Sequence, residues 1–215
     1  MSAPRETLSS LRQLLAERFP VGTTTSAASL ATGVPAIDEA LGGLPAGAVS
    51  EIVCATPSCG GQLLLGALLR AVRRERGRVA LVDAGDSFDP QSWPDDWLRH
   101  VVWARCPDAA TALRATDILA RDANFQLVAL DLRLADAKEL RRTPAPFWYR
   151  LQRAVEAGGL VLAVFTPFMT VPSARVRLEL NRPHPFAALA DPREALAHAL
   201  APQVQRQRMN ATRAG

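Results

Sequence analysis

Ser50-EIVCATPSCGGQLLLGAL-Leu69 decides how this chain is read. An apolar run that suits a strand passes through a turn of small residues into an apolar stretch of helical character, which is the outline of a phosphate-binding loop. A loop of the form GxxxxGK[ST] works because backbone N–H groups surround the phosphates, the lysine supplies a point charge and the hydroxyl binds magnesium. In the matching register, Ala55-TPSC-Gly60-Gly61-Gln62, the first glycine is Ala55, the lysine position is Gly61 and the hydroxyl position is Gln62. Pro57 removes a further N–H donor. Each lost charge-assisted hydrogen bond is worth roughly 1.5–3 kcal/mol, and losing one preorganised stabiliser costs on the order of a hundredfold in rate. The expectation is a vestigial loop without ATP hydrolysis, with no resident cofactor or metal. Weak nucleotide binding through the surviving N–H groups stays open as an alternative.

Working outward, apolar strand runs alternate with helical segments. Strands are expected at Val49 to Val53, Arg78 to Val82, Val101 to Trp103, Gln126 to Leu130 and Leu160 to Phe165. Helices are expected at Pro35 to Leu41, Gln62 to Arg73, Ala109 to Arg121 with Asp108 as N-cap, and Pro146 to Ala157. This order predicts an α/β fold, doubly wound, with a mostly parallel sheet covered by helices on both faces. Ala174-RVRLELNR alternates as a half-exposed strand near the sheet edge, or as part of a closing hairpin. Asp191-Pro192-Arg193-Glu194 then has the form of an N-cap, a proline at N1 and a glutamate at N3, opening a short helix to Leu200.

The 215 residues, 48% of them hydrophobic, can bury one substantial core, so a single domain with appendages is expected. Residues 1–29 read as an N-terminal helix and linker, 30–182 as the core, and 183–215 as a short helix and a mobile basic tail. Leu8, Leu11, Leu15 and Phe19 form one apolar stripe on the first helix, which suits docking on a partner or packing in cis. The tail from Gln203 carries Arg206, Arg208 and Arg213 without an acid.

All but one of the 25 basic residues are arginine, Lys138 being the exception. Arg133, Arg141 and Arg142 lie around Lys138, where Asp136 and Glu139 dilute the charge into what reads as a solvated surface loop. Cys54, Cys59 and Cys106 complete no zinc set with the three scattered histidines. They read as reduced, buried thiols, with a redox role as the alternative. No run approaches the ~20 uninterrupted apolar residues of a membrane span, and Met1 to Phe19 is amphipathic and charged, unlike a signal sequence. A soluble, cytoplasmic protein is expected.

Taken in order, these segments resemble the RecA fold. Thr32-GVPAIDEALGGLPAGAVSEI is similar to the lead-in to the RecA-type phosphate loop, and Arg78-VALVDAGDSFDP to the family's next strand and turn. Gln126-LVALD resembles the Walker B strand, ending in Asp131. Leu160-VLAVFT and Ala174-RVRLELNR resemble the strands that follow. Gly85 stands where RecA-type proteins have a water-activating glutamate, and the Thr166-PFMTVPSA stretch is shorter than a recombinase's DNA-gripping loop. With the damaged loop, the N-terminal helix and the basic tail, the chain most resembles the ImuA family of accessory factors in SOS-induced, error-prone translesion DNA synthesis.

That resemblance implies a non-catalytic adaptor acting with an ImuB-type polymerase-like protein, an error-prone DNA polymerase and RecA. Arg141, Arg142, Arg206, Arg208 and Arg213 are then candidate contacts to DNA or a partner. A SulA-like inhibitor of cell division, which also uses a RecA-like fold without a working loop, and a weak ATPase using Gln62, Asp86 and Asp131 are the alternatives.

Overall fold

The computed structural model describes residues 29–207. The N-terminal stripe of Leu8, Leu11, Leu15 and Phe19 lies outside the described residues, as do Arg208 and Arg213.

Four apolar runs and the alternating segment after Ala174 become the parallel heart of one sheet. They are β3 (Ala48–Cys54), β4 (Val79–Asp83), β6 (Leu127–Asp131), β7 (Val161–Thr166) and β8 (Val176–Leu180). With β5 (Val101–Arg105) and β9 (Gln203–Gln207) the sheet has seven strands in the order β5-β4-β6-β7-β3-β8-β9. All neighbours are parallel except β9, which runs antiparallel to β8. Short strands β1 (Ser29–Leu30) and β2 (Leu44–Pro45) form a separate antiparallel pair.

The period of two in each strand sends alternate residues to two cores. Ile52, Leu81, Leu127, Ala129, Phe165 and Leu178 face one of them. That core is closed by α1 (Pro35–Leu41) and α2 (Gly61–Arg74), through Ile37, Leu64, Leu65 and Leu68. Val49, Val82, Val128, Leu130, Leu162 and Val164 face the other. Helices α4 (Ala109–Leu119), α5 (Ala137–Arg142) and α6 (Ala145–Gly158) close it through Leu113, Leu140, Trp148 and Leu151. Burial on both faces explains why the central strands read as continuous apolar runs.

Helix ends follow local chemistry. The Asp108 side chain accepts the Thr111 N–H at 2.6 Å and caps α4. Gly159 ends α6 with φ of 66°, where any side chain would be strained. Asp191 does not cap the last helix, α7 (Arg193–His198): its N-cap is Pro192, without a side-chain bond.

The largest departure from expectation is at the C-terminus. Gln203–Gln207, read as part of a mobile basic tail, is strand β9. Its sequence offers little to bury, and it is held instead by backbone pairing to β8, with a bulge where Arg177 faces Arg206 and Leu178 faces Val204. Strand β8 is therefore internal, and β9 is the edge. Other elements with no sequence signal are α3 (Asp95–Leu98), the 3₁₀ turns Pro90–Ser92 and Phe186–Ala190, and α5.

Candidate functional site

The carboxyl ends of β3, β4 and β6 bring together the loop Ala55–Gly60, the turn after Asp83 and the segment after Asp131. A cavity of about 1110 Å³ opens there, with Cys54, Gly60, Gln62, Trp93, Arg133 and His184 among its walls. Its position outside the ends of parallel strands is where α/β sheets bind ligands.

Gly61 begins α2, and Gly60 enters it with φ of 94°. A Cβ placed on Gly61 would lie 2.7 Å from Arg133 Nη1 and 2.8 Å from Cys54 Sγ. The space where a loop lysine would start is thus taken by a guanidinium and a thiol. Arg133 is not the solvated surface residue that its surroundings in sequence suggest: its side chain is 14% exposed and lies over the Phe165 ring.

Asp131 holds Arg133 in that place. The carboxylate accepts the Arg133 backbone N–H at 3.1 Å, its Nε at 2.9 Å and its Nη2, and accepts the Ser87 hydroxyl at 2.9 Å. Asp131 is 2% exposed, and both of its oxygens are engaged. Neighbouring Asp83, fully buried, is used likewise: it accepts the N–H groups of Gly85, Ser87 and Phe88 and folds the turn that follows β4. Gly85 has no room for a glutamate, since a Cβ there would come 2.5 Å from Leu134 Cβ. Asp86, one residue on, is bound by the Arg105 guanidinium.

The loop also carries two thiols on the cavity wall, Cys54 and Cys59. The Cys54 thiol donates to the Cys59 sulfur, and that bond is the main reason the Cys59 thiol is lowered to about 6. Burial opposes the shift, and the N–H groups of Gly61, Thr56 and Cys59 itself add to it. Cys54 is raised, first by the same bond and then by burial. Gln62 donates to the Ser87 carbonyl at 3.1 Å, while its Oε1 is buried without a partner among the described residues.

These residues do not fit a magnesium nucleotide. The lysine's place is filled, the carboxylate's oxygens are taken and Pro57 has no N–H. Ala55, Gly60, Gly61, Gln62 and Asp131 do come together at one corner, as the sequence suggests, but as a packed junction of strand, loop and helix.

Of the candidate basic contacts, Arg141, Arg142 and Arg206 lie among the described residues. Arg141 and Arg142 are exposed on α5, with Arg141 stacked 4.2 Å over Phe168. Arg206 lies on β9, where its Nη1 donates to the carbonyls of Pro172 and Ala174 at 3.0 and 3.4 Å. It thereby braces the loop before β8, a structural contact that its place in a polar segment does not announce.

Sequence reasoning missed that loop's main anchor. Glu51 is wholly buried in β3 beside its register partner Arg177 in β8, whose Nε donates to it at 2.6 Å. The same carboxylate accepts the N–H groups of Thr170 at 2.6 Å and Val171 at 3.0 Å and the Thr166 hydroxyl at 3.2 Å. A lone acid inside an apolar strand facing an arginine-bearing strand was the available signal.

Three large apolar residues on the cavity wall are exposed: Phe186 at 89%, Leu189 at 75% and Leu134 at 67%. Among the described residues no helix is long and apolar enough to cross a membrane. No protein-family model matches the chain, and no curated protein matches it.

Proposed function

We propose that this chain is a non-catalytic, RecA-like accessory protein of SOS-induced, error-prone translesion synthesis, working through contacts with an ImuB-type polymerase-like protein, an error-prone DNA polymerase and RecA. The observation that carries the non-catalytic half is the Asp131–Arg133 pair seated over Gly61, which uses the carboxylate and the space that nucleotide chemistry requires. The RecA-like half is supported by the five resembling strand segments, which lie parallel in one sheet with the loop and Asp131 at the same end. A binding role is supported by the exposed Phe186, Leu189 and Leu134 around the cavity mouth, since clustered exposed apolar side chains mark interaction sites. DNA is a further candidate ligand, through Arg141 and Arg142.

The test is capture of purified ImuB-type protein and RecA by the full-length chain, alongside a steady-state ATPase measurement. The expected result is capture that weakens in a Phe186→Ser/Leu189→Ser variant of unchanged melting temperature, with no turnover above background. ATP turnover that survives repurification and disappears in Asp131→Ala, or failure to capture any of these partners, rejects the proposal.

A further inference from the structure

Cys54 and Cys59 close the two ends of the loop, one at the end of β3 and the other just before α2. Both line the cavity, the Cys54 sulfur lies against Gly61, two residues beyond Cys59, and neither is in a disulfide. Gly61 leaves room for this arrangement, because any Cβ there would collide with the Cys54 sulfur. Cys106 is different: it is buried in the core on the opposite face of the sheet, away from the cavity.

We propose that Cys54 and Cys59 form a thiol–disulfide site for small hydroperoxides, with Cys59 as the attacking sulfur and Cys54 as the resolving one. In the first step the Cys59 thiolate attacks the distal peroxide oxygen, the O–O bond breaks, and the departing alkoxide or hydroxide takes a proton from solvent. Cys59 becomes a sulfenic acid, having given up two electrons. In the second step the Cys54 sulfur attacks the Cys59 sulfur, the S–O bond breaks, and the Cys54 proton leaves with the oxygen as water. Two thiols and one hydroperoxide yield one disulfide, one alcohol or water, and one water. A low-molecular-weight thiol returns the pair to the reduced state by exchange.

The groups around each sulfur favour one order of attack. The N–H groups of Thr56, Cys59 and Gly61 and the Cys54 S–H all favour negative charge on Cys59, at the start of a fourteen-residue helix. Charge nearby is shared between Arg133, which favours a Cys54 thiolate, and Asp131, which disfavours it. His184 packs beside Gly60 on the same wall. An ionised Cys59 has about 30 times the thiolate fraction of an ordinary thiol near neutrality. Its lower basicity gives back part of that, leaving roughly a few-fold advantage. Cys106 is pushed up by burial and by Asp108 and Asp83, and it does not line the cavity. At 4% exposure, Cys59 admits a peroxide more readily than a protein thiol.

The test exposes the reduced full-length protein to hydrogen peroxide, then alkylates it with N-ethylmaleimide in denaturant and counts adducts by intact mass. The three adducts of the reduced chain are expected to fall to one, on Cys106, with a mass loss of two hydrogens that dithiothreitol reverses. Cys106→Ser should fall from two adducts to none. Cys54→Ser should hold Cys59 as a sulfenic acid that dimedone labels faster than it labels Cys54 in Cys59→Ser. Three adducts retained by the wild-type chain, a bridge that includes Cys106, or a bridge only between molecules overturns the proposal. The wild-type and Cys106→Ser counts decide it even if the loop variants fail to fold. Faster labelling of Cys54 than of Cys59 overturns the assigned order.

Discussion

Replacing Asp131 with alanine removes the acceptor for four hydrogen bonds, three from Arg133 and one from Ser87. The Arg133 guanidinium is then left charged in a nearly closed site, with its side chain only 14% exposed. Breaking a buried pair from one side costs roughly 3–5 kcal/mol. In a chain of this length each kcal/mol moves Tm by about 2–4 °C, so the variant is expected to melt roughly 6–20 °C below wild type. A carboxylate kept for catalysis behaves in the opposite way, since its removal commonly leaves stability unchanged or raised. Urea unfolding followed by circular dichroism gives the free energy, and an unchanged m-value shows that the denatured state is the same. Adding Arg133→Met removes the stranded charge together with its partner, so the double variant should recover most of the loss. A single variant within about 1 kcal/mol of wild type, or a double variant no better than the single one, refutes the structural role given to Asp131.

Glu51→Ala is expected to lose about 3–5 kcal/mol in the same assay and to expose the 167–173 loop to proteolysis. Glu51→Gln should be milder, because it keeps an acceptor for the Thr170 and Val171 N–H groups. Gly85→Glu places a side chain against Leu134, so its melting temperature should fall and no ATP turnover should appear. The Thr111 N–H, and then its hydroxyl, hold the Asp108 carboxyl below its ordinary range. A depressed folded value gives stability that is present above the unfolded pKa of about 3.9 and is lost as pH falls through the folded value. The thermal midpoint of wild type should therefore drop more steeply on acidification than that of Asp108→Asn, which caps the helix without titrating.

The parallel strands were legible because burial on both faces makes them continuous apolar runs, as in Leu127–Asp131 and Val161–Thr166. The long helices α2 and α6 were legible for a related reason: their apolar stripes recur at helical spacing. Strand β9 was not, since Gln203–Gln207 pairs through its backbone and has one apolar residue to show. Helix α5 is six residues long and largely polar, too short for a period to emerge. At the site, the missing lysine and hydroxyl could be read directly. What occupies their place could not, because Arg133 reaches Gly61 only once β6 and β3 end at the same edge of the sheet, on either side of β7. The approach of the Cys54 sulfur to Gly61, just beyond Cys59, likewise depends on how the intervening turn closes, which a spacing of five residues between the cysteines does not specify.

The Gly61 corner also bears on how such a chain can change over generations. A lysine introduced at position 61 meets Arg133 and Cys54, a glutamate introduced at 85 meets Leu134, and Asp131 cannot turn to a metal without releasing Arg133. Each step toward nucleotide use, taken alone, lowers stability before it confers any activity, and marginally stable proteins tolerate few such steps. The corner therefore acts as a ratchet: descendants of this chain can diversify the surfaces around the cavity far more easily than they can take up a lysine-bearing phosphate loop.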